Sequence, residues 1–167
     1  VDKHEKIKVH KIYLNGNHVL SDKTIKRVMK KTNENNNIME LFNQKKFVRS
    51  DYDADKQRII DKYNEKGYRD AKIVADSVTN YSDNRVDVHI TVDEGKKYYI
   101  SNISWVGNTI YDTNLLNRVL GIHKGDVYNQ KLLQKRMQED DDAVSNLYLD
   151  NGYLFFDLVP VETNVKG

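Results

Sequence analysis

The chain repeats itself, and the repeat sets the scale of anything it folds into. Ile12-Tyr-Leu-Asn-Gly16-Asn17 returns as Ile103-Ser-Trp-Val-Gly107-Asn108, 91 positions later. The echo reaches outward: Val1 and Asp2 match Val92 and Asp93, and Ile25, Arg27 and Val28 match Leu116, Arg118 and Val119. A second echo pairs Tyr63-x-x-x-Gly67-Tyr68 with Tyr148-x-x-x-Gly152-Tyr153. Solenoid units run to roughly 20–50 residues, so this period describes a small domain with its own core. Two tandem domains are expected, at residues 1–91 and 92–167.

Each copy opens on alternation. Ile7 and Val9 share one phase and Ile12 and Leu14 the other, as do Tyr98 and Ile100, then Ile103 and Trp105. Alternation marks a strand, and a phase slip marks a bulge or bend. Gly-Asn then supplies turn chemistry. Ser21 and Asp112 are N-cap residues for a short helix, because their side-chain oxygens accept free backbone N–H groups. In the first copy an apolar island follows at Ile38 to Phe42 and Phe47. A longer helix is expected from Tyr52 to Lys66, with a counterpart from Asn129 to Asn151, each ending at a Gly. Tyr68 to Val78 reads as a strand, Asn80 to Asn84 as a turn, and Arg85 to Asp93 as a strand wet on one face, with Val86, Val88, Ile90 and Val92 in one phase. The unit is strand, helix, helix, strand, strand: an α+β fold with two helices on one face of a three-stranded sheet.

The second copy is short. From Gly67 to Thr91 is 24 residues, but from Gly152 to Gly167 only 15. The last strand of the second domain is expected to be absent, its place open to strand exchange with another chain.

Chemistry is sparse. There are no cysteines, which excludes disulfides and thiolate metal sites. The five histidines lack a metal-ligand spacing. Glu139-Asp-Asp-Asp142 is expected mid-helix as a solvated face. No phosphate loop or nucleophile motif occurs, so no catalytic residue, metal or cofactor is assigned, and an enzyme is not expected. Trp105 is expected in the core. No apolar run approaches the ~20 residues that span a bilayer, and no N-terminal segment resembles a signal peptide; the stretch is expected to be soluble. Residues 1–91 hold 19 Lys/Arg against 14 Asp/Glu, and residues 92–167 hold 8 against 11. The excess includes a basic surface patch of Lys23, Lys26, Arg27, Lys30 and Lys31 on one helix, suited to an anionic membrane surface or an acidic partner, or serving only as a solvated face.

The duplicated strand–helix–helix–strand–strand order, the Gly-Asn turn and the Tyr-x-x-x-Gly-Tyr helix exit resemble POTRA domains of the Omp85 family. The stretch Val92-Asp-Glu-Gly95-Lys-Lys-Tyr-Tyr-Ile100, leading into Ile103-Ser-Trp-Val-Gly-Asn108, resembles the joint between consecutive POTRA domains, in a Bacteroidetes-type version. The inter-domain joint would comprise Asp93, Glu94, Gly95, Tyr98, Tyr99 and Ile100. The resemblance implies a mixed sheet, a periplasmic location in an outer-membrane protein, and a scaffold for outer-membrane β-barrel assembly. Its partners would be unfolded barrel proteins and accessory subunits or lipoproteins. It also implies that the second strand of each copy is a sheet edge that takes an added peptide strand. These edges would be Ala71, Lys72, Ile73, Val74 and Ala75, and Phe155, Phe156, Asp157, Leu158 and Val159; Pro160 suits an edge. The alternatives are POTRA modules of two-partner secretion or cell division, and a KH-like nucleic-acid binder. The last needs a Gly-x-x-Gly loop and a continuous basic face; neither is evident, so nucleic acid is not an expected partner.

Overall fold

The computed structural model describes residues 6–34 and 46–165. The chain divides into two compact units, the first ending at Lys96 and the second beginning at Lys97, with Glu65–Gly67 grouped in the second.

In the first unit β1 covers Lys8–Asn15 and buries Val9 and Ile12. His10 falls at a register shift between Val9 and Lys11, where the phase slip lies. The chain turns at Gly16, whose φ is +78°, and the Asn17 amide staples the turn to the Leu20 carbonyl at 2.9 Å and Asp22 at 2.8 Å. Helix α1, Asp22–Val28, starts on Ser21, whose hydroxyl accepts from the Thr24 N–H. Of the apolar island, Ile38 to Phe42 lies outside the described residues, while Phe47 packs against the core. Helix α2, Arg49–Glu65, buries Tyr52, Asp55, Ile59 and Tyr63, a stripe one helix face wide.

β2 spans Lys72–Ser82 and β3 spans Arg85–Asp93. Val86, Val88, Ile90 and Val92 are all buried against the helices. The sheet order is β1-β3-β2, with β3 parallel to β1 and antiparallel to β2. It is a mixed sheet whose last strand in sequence is its middle strand in space.

β2 sits further along the chain than the alternation suggests. Tyr68 to Ala71 is a turn closed by hydrogen bonds from Tyr68 N–H to the Tyr63 carbonyl and from Ala71 N–H to the Tyr68 carbonyl. At the other end only Asp83 and Asn84 separate the strands, the length of the tightest hairpins, so Asn80 and Ser82 join the ladder.

The second unit packs Leu116, Leu120, Ile122, Met137 and Val144 together. Helix α3, Thr113–Leu120, starts on Asp112 and ends on Gly121 at φ +66°. Asn108 repeats the staple of Asn17, donating to the Tyr111 carbonyl at 3.1 Å. Trp105 packs against this core, and its indole N–H donates to Asn117 Oδ1 at 2.7 Å.

Two expectations fail here. The single helix from Asn129 to Asn151 is instead α4 (Gln130–Gln134), a π-turn (Lys135–Glu139), a break, and α5 (Val144–Leu149). The carboxylate run therefore sits at a helix break, not mid-helix. Arg136 explains it: its guanidinium donates to Asp140, to Asp142 and to the Val119 and Leu120 carbonyls. The break turns those carboxylates back onto one cation, and Asn146 holds it by donating to the Asp140 and Asp141 carbonyls.

The second expectation is the sheet of this unit. Among the described residues it forms no strand. Tyr99 makes only an isolated bridge to Val127. Residues 155–159 alternate outward and inward as a strand would, with Phe156 stacked on Tyr148 and Leu158 against the core, but no ladder joins them. In the first unit, β3 lies between the other two strands and makes every ladder they have. Among the described residues of the second unit no segment takes that middle place, and its extended stretches form no ladder.

Candidate functional site at a sheet edge

A three-stranded sheet has two edges, and here they differ. Outside β1, Glu34 forms a parallel bridge with Val9, and its carboxylate accepts from the Ile12 N–H and from Lys26 at 2.7 Å. The Phe47 N–H donates to the Ile7 carbonyl at 2.7 Å. That edge is covered. Outside β2, no backbone hydrogen bond from another segment occurs among the described residues. An uncovered strand of eleven residues is a template for another strand.

A groove runs beside this edge, with a volume of about 370 Å³. Asp53, Lys56, Gln57 and Ile60 of α2 line one side, and Ile73 and Asp76 of β2 the other. Asp76 belongs to an exposed stretch of β2, yet its side chain is only 24% exposed. It turns inward to accept from the Tyr52 hydroxyl at 3.0 Å and from Lys56 at 3.2 Å. Lys56 also reaches Asp53 at 3.1 Å. Burial pushes the Asp76 carboxyl up, but the hydrogen bonds from Lys56 and Tyr52 outweigh it and hold the group below its ordinary range. Burial and the bond to Asp76 push the Tyr52 hydroxyl well up, so it stays a donor.

A carboxyl with a depressed folded value stabilises the fold above its unfolded value and loses that contribution as pH falls through the folded value. The first unit is therefore expected to lose stability below about pH 4, and Asp76→Asn to flatten that loss. Acid titration followed by the amide signals of β2 and β3 checks both.

The residues expected at this edge fall into three positions. Ala71 is buried and lies in the turn before β2, so it is not on the edge. Lys72 and Ile73 begin the strand, Ile73 leaning into the core. Val74 is a bulge, and Ala75 starts the regular ladder. Phe155, Phe156, Asp157, Leu158 and Val159 are not in a strand at all; Phe155 is fully exposed. The groove residues on α2, and Asp76, were not singled out by the sequence. The available signal was Asp76 itself, a charge in phase with Val78 on the core side.

Of the expected joint, Glu94 accepts from Tyr63 and from the Val19 N–H, both at 2.8 Å, and Asp93 accepts from the Gly95 N–H, all within the first unit. Tyr98 and Ile100 exchange backbone hydrogen bonds with residues 125–128 of the second unit, and Tyr99 makes its bridge there. In the basic patch Lys23, Arg27, Lys30 and Lys31 are exposed, whereas Lys26 is tied to Glu34. Among the described residues no three His, Asp or Glu side chains converge as a metal site. No helix there is long and apolar enough to cross a membrane.

The family model of POTRA, the surface antigen variable number repeat, matches residues 7–95 and again residues 98–167. The chain belongs to the POTRA family. The two matches fall one on each copy of the sequence echo. The chain is 30% identical over 98 residues to the outer membrane protein assembly factor BamA of Neisseria meningitidis, covering 56% of this chain and 12% of that protein. It is 28% identical over 150 residues to a putative outer membrane protein assembly factor of Treponema pallidum, covering 87% of this chain and 17% of that protein. The chain thus spans a small part of these relatives' length. Among solved structures, Haemophilus influenzae BamA POTRA3-5 has a TM-score of 0.56 at 24% identity, over 77% of this chain and 50% of that one. Haemophilus ducreyi BamA lacking POTRA domains 1-3 has the same TM-score at 18% identity, over 80% of this chain and 24% of that one. At these identities the structures speak for the POTRA fold.

Proposed function

We propose that this POTRA pair is a non-catalytic binding segment of an outer-membrane protein assembly factor, working in the periplasm. Its clients are unfolded β-barrel chains, which add to the first unit as an extra strand along β2. The observation that carries this reading is the contrast between the two edges: β1 is closed by Glu34 and Phe47, and β2 is open. Main-chain hydrogen bonds along an open edge give affinity without demanding one sequence, which suits a scaffold with many clients. The names of the relatives support assembly as the process.

Accessory subunits or lipoproteins, and an anionic membrane surface, remain candidate partners for the exposed basic residues of α1 and the turn after it. The extended, unladdered stretch at 155–159 supports strand exchange with another chain as a further mode.

Photo-crosslinking in the full-length protein tests the edge. Probes at Ser77 and Thr79 are expected to trap unfolded barrel chains, and probes on the exposed face of α1 are not. Crosslinks confined to α1, or none from β2, would reject strand addition.

A further inference from the structure

The charges beside β2 cancel one another. Asp53 pairs with Lys56 at 3.1 Å and with Arg49 at 3.7 Å. Asp76 pairs with the same Lys56 at 3.2 Å and accepts from the Tyr52 hydroxyl at 3.0 Å. Two carboxylates thus face two cations, and the Gln57 amide donates to Asp61 at 2.9 Å. Each polar side chain that lines the groove already has a partner. The part of the lining left for an incoming chain is apolar: Ile60 of α2 and Ile73 of β2, both partly exposed.

Ile73 owes its place to a bulge. It pairs with Val92, and Asp76 pairs with Ile90; Val92 and Ile90 are both buried against the helices. Ile73 and Asp76 are an odd number of residues apart, so an uninterrupted strand would set them on opposite faces. The extra residue, Val74, brings both to the helix side. On the other face Ser77 and Thr79 lie opposite His89 and Asp87. The edge therefore presents isoleucines on one face and hydroxyls on the other.

A strand added along β2 sends alternate side chains to these two faces. An apolar side chain on the helix side gains by taking the surface of Ile60 and Ile73 out of water. A charged one, of either sign, loses hydration there and meets counterions that are already paired. We infer that β2 selects strands by their alternation, taking those with an apolar residue at every second position facing α2 and polar residues over Ser77 and Thr79. This rests on strand addition at β2 and says which strands are taken.

The test uses short peptides that alternate Thr with Leu, Ala, Lys or Glu, each carrying the same soluble tail. A further peptide has the composition of the Leu form with its leucines in one block. Each is titrated against the isotope-labelled chain, reading the amide shifts of Ala75 to Asn80 and the methyl shifts of Ile60 and Ile73. The alternating Leu peptide is expected to bind roughly tenfold more tightly than the Ala peptide, to move both isoleucine methyls, and to bind more tightly than the blocked form. The Lys and Glu peptides are expected to be weaker than the Leu peptide and within about twofold of each other. Ile60 is not among the side chains packed into the core, so Ile60→Gln keeps the fold and is expected to cut the preference for Leu over Ala to about threefold or less. Shifts on β2 with equal affinity for the Leu and Ala peptides, or a full Leu preference in Ile60→Gln, would overturn this selectivity and leave strand addition standing. A wide gap between Lys and Glu would overturn the neutrality of the groove. Absence of β2 shifts with every peptide would remove strand addition itself.

Discussion

Replacing Asp55 by alanine is expected to destabilise the first unit by about 2–5 kcal/mol, the cost of leaving two backbone donors without an acceptor, seen as a large fall in its urea midpoint. Asp55 is fully buried within α2. One oxygen accepts from the Lys31 N–H at 3.0 Å and the Thr32 N–H at 2.6 Å, and the other accepts from the Arg58 guanidinium at 2.6 Å. The carboxylate thus ties the chain leaving α1 to the second helix. Alanine leaves two backbone donors without their acceptor, and each such donor costs about 1–3 kcal/mol where water cannot reach it. Domains of this size are stable by only about 5–15 kcal/mol, so much of the margin goes. Asp55→Asn keeps an acceptor oxygen and is expected to lose less. An alanine variant within 1 kcal/mol of the parent would show that those donors find water.

The second large effect separates two identical motifs. Gly16 and Gly107 open the same Gly-Asn turn at φ +78° and +79°. A Cβ at Gly16 would overlap the Val92 carbonyl oxygen, whereas one at Gly107 meets nothing within 4 Å. Both substitutions carry the left-handed penalty, about 1–2 kcal/mol for a residue with a Cβ. Only Gly16→Ala must also push back the main chain of β3. It is expected to cost about 3 kcal/mol or more, in the range of severe local strain, and Gly107→Ala about 1 kcal/mol. Melting of the two variants, followed by amide signals of each unit, makes the comparison. Equal losses would mean that β3 yields at no cost.

That pair also shows what a sequence can disclose. The turn, its Asn staple, the caps at Ser21 and Asp112, and the alternation of β3 are written within a few residues of themselves, so they were legible. The difference between Gly16 and Gly107 depends on a strand distant in sequence. The same holds for the covered edge of β1, closed by Glu34 and Phe47. The break after the π-turn was hidden because Arg136 finds its carbonyl acceptors on α3, not in its own helix. Residues 155–159 were misread for the opposite reason: their local pattern is that of a strand, and only the partner is lacking. The groove was missed because an alternation count treats Asp76 as an exception, whereas Tyr52 and Lys56 make it a fixture.

The central position of β3 has a kinetic meaning. β1 and β2 never touch in the ladder, and the first pair that β3 makes with β1, Lys8 with Arg85, closes a span of 77 residues. Loops of that length cost entropy before any contact rewards them, and folds rich in such contacts form slowly. A chain emerging N-terminus first therefore carries its early strands unzipped until the last one arrives. Until β3 pairs with them, β1 and β2 hold unpaired edges, the kind of surface that makes partly folded chains prone to associate.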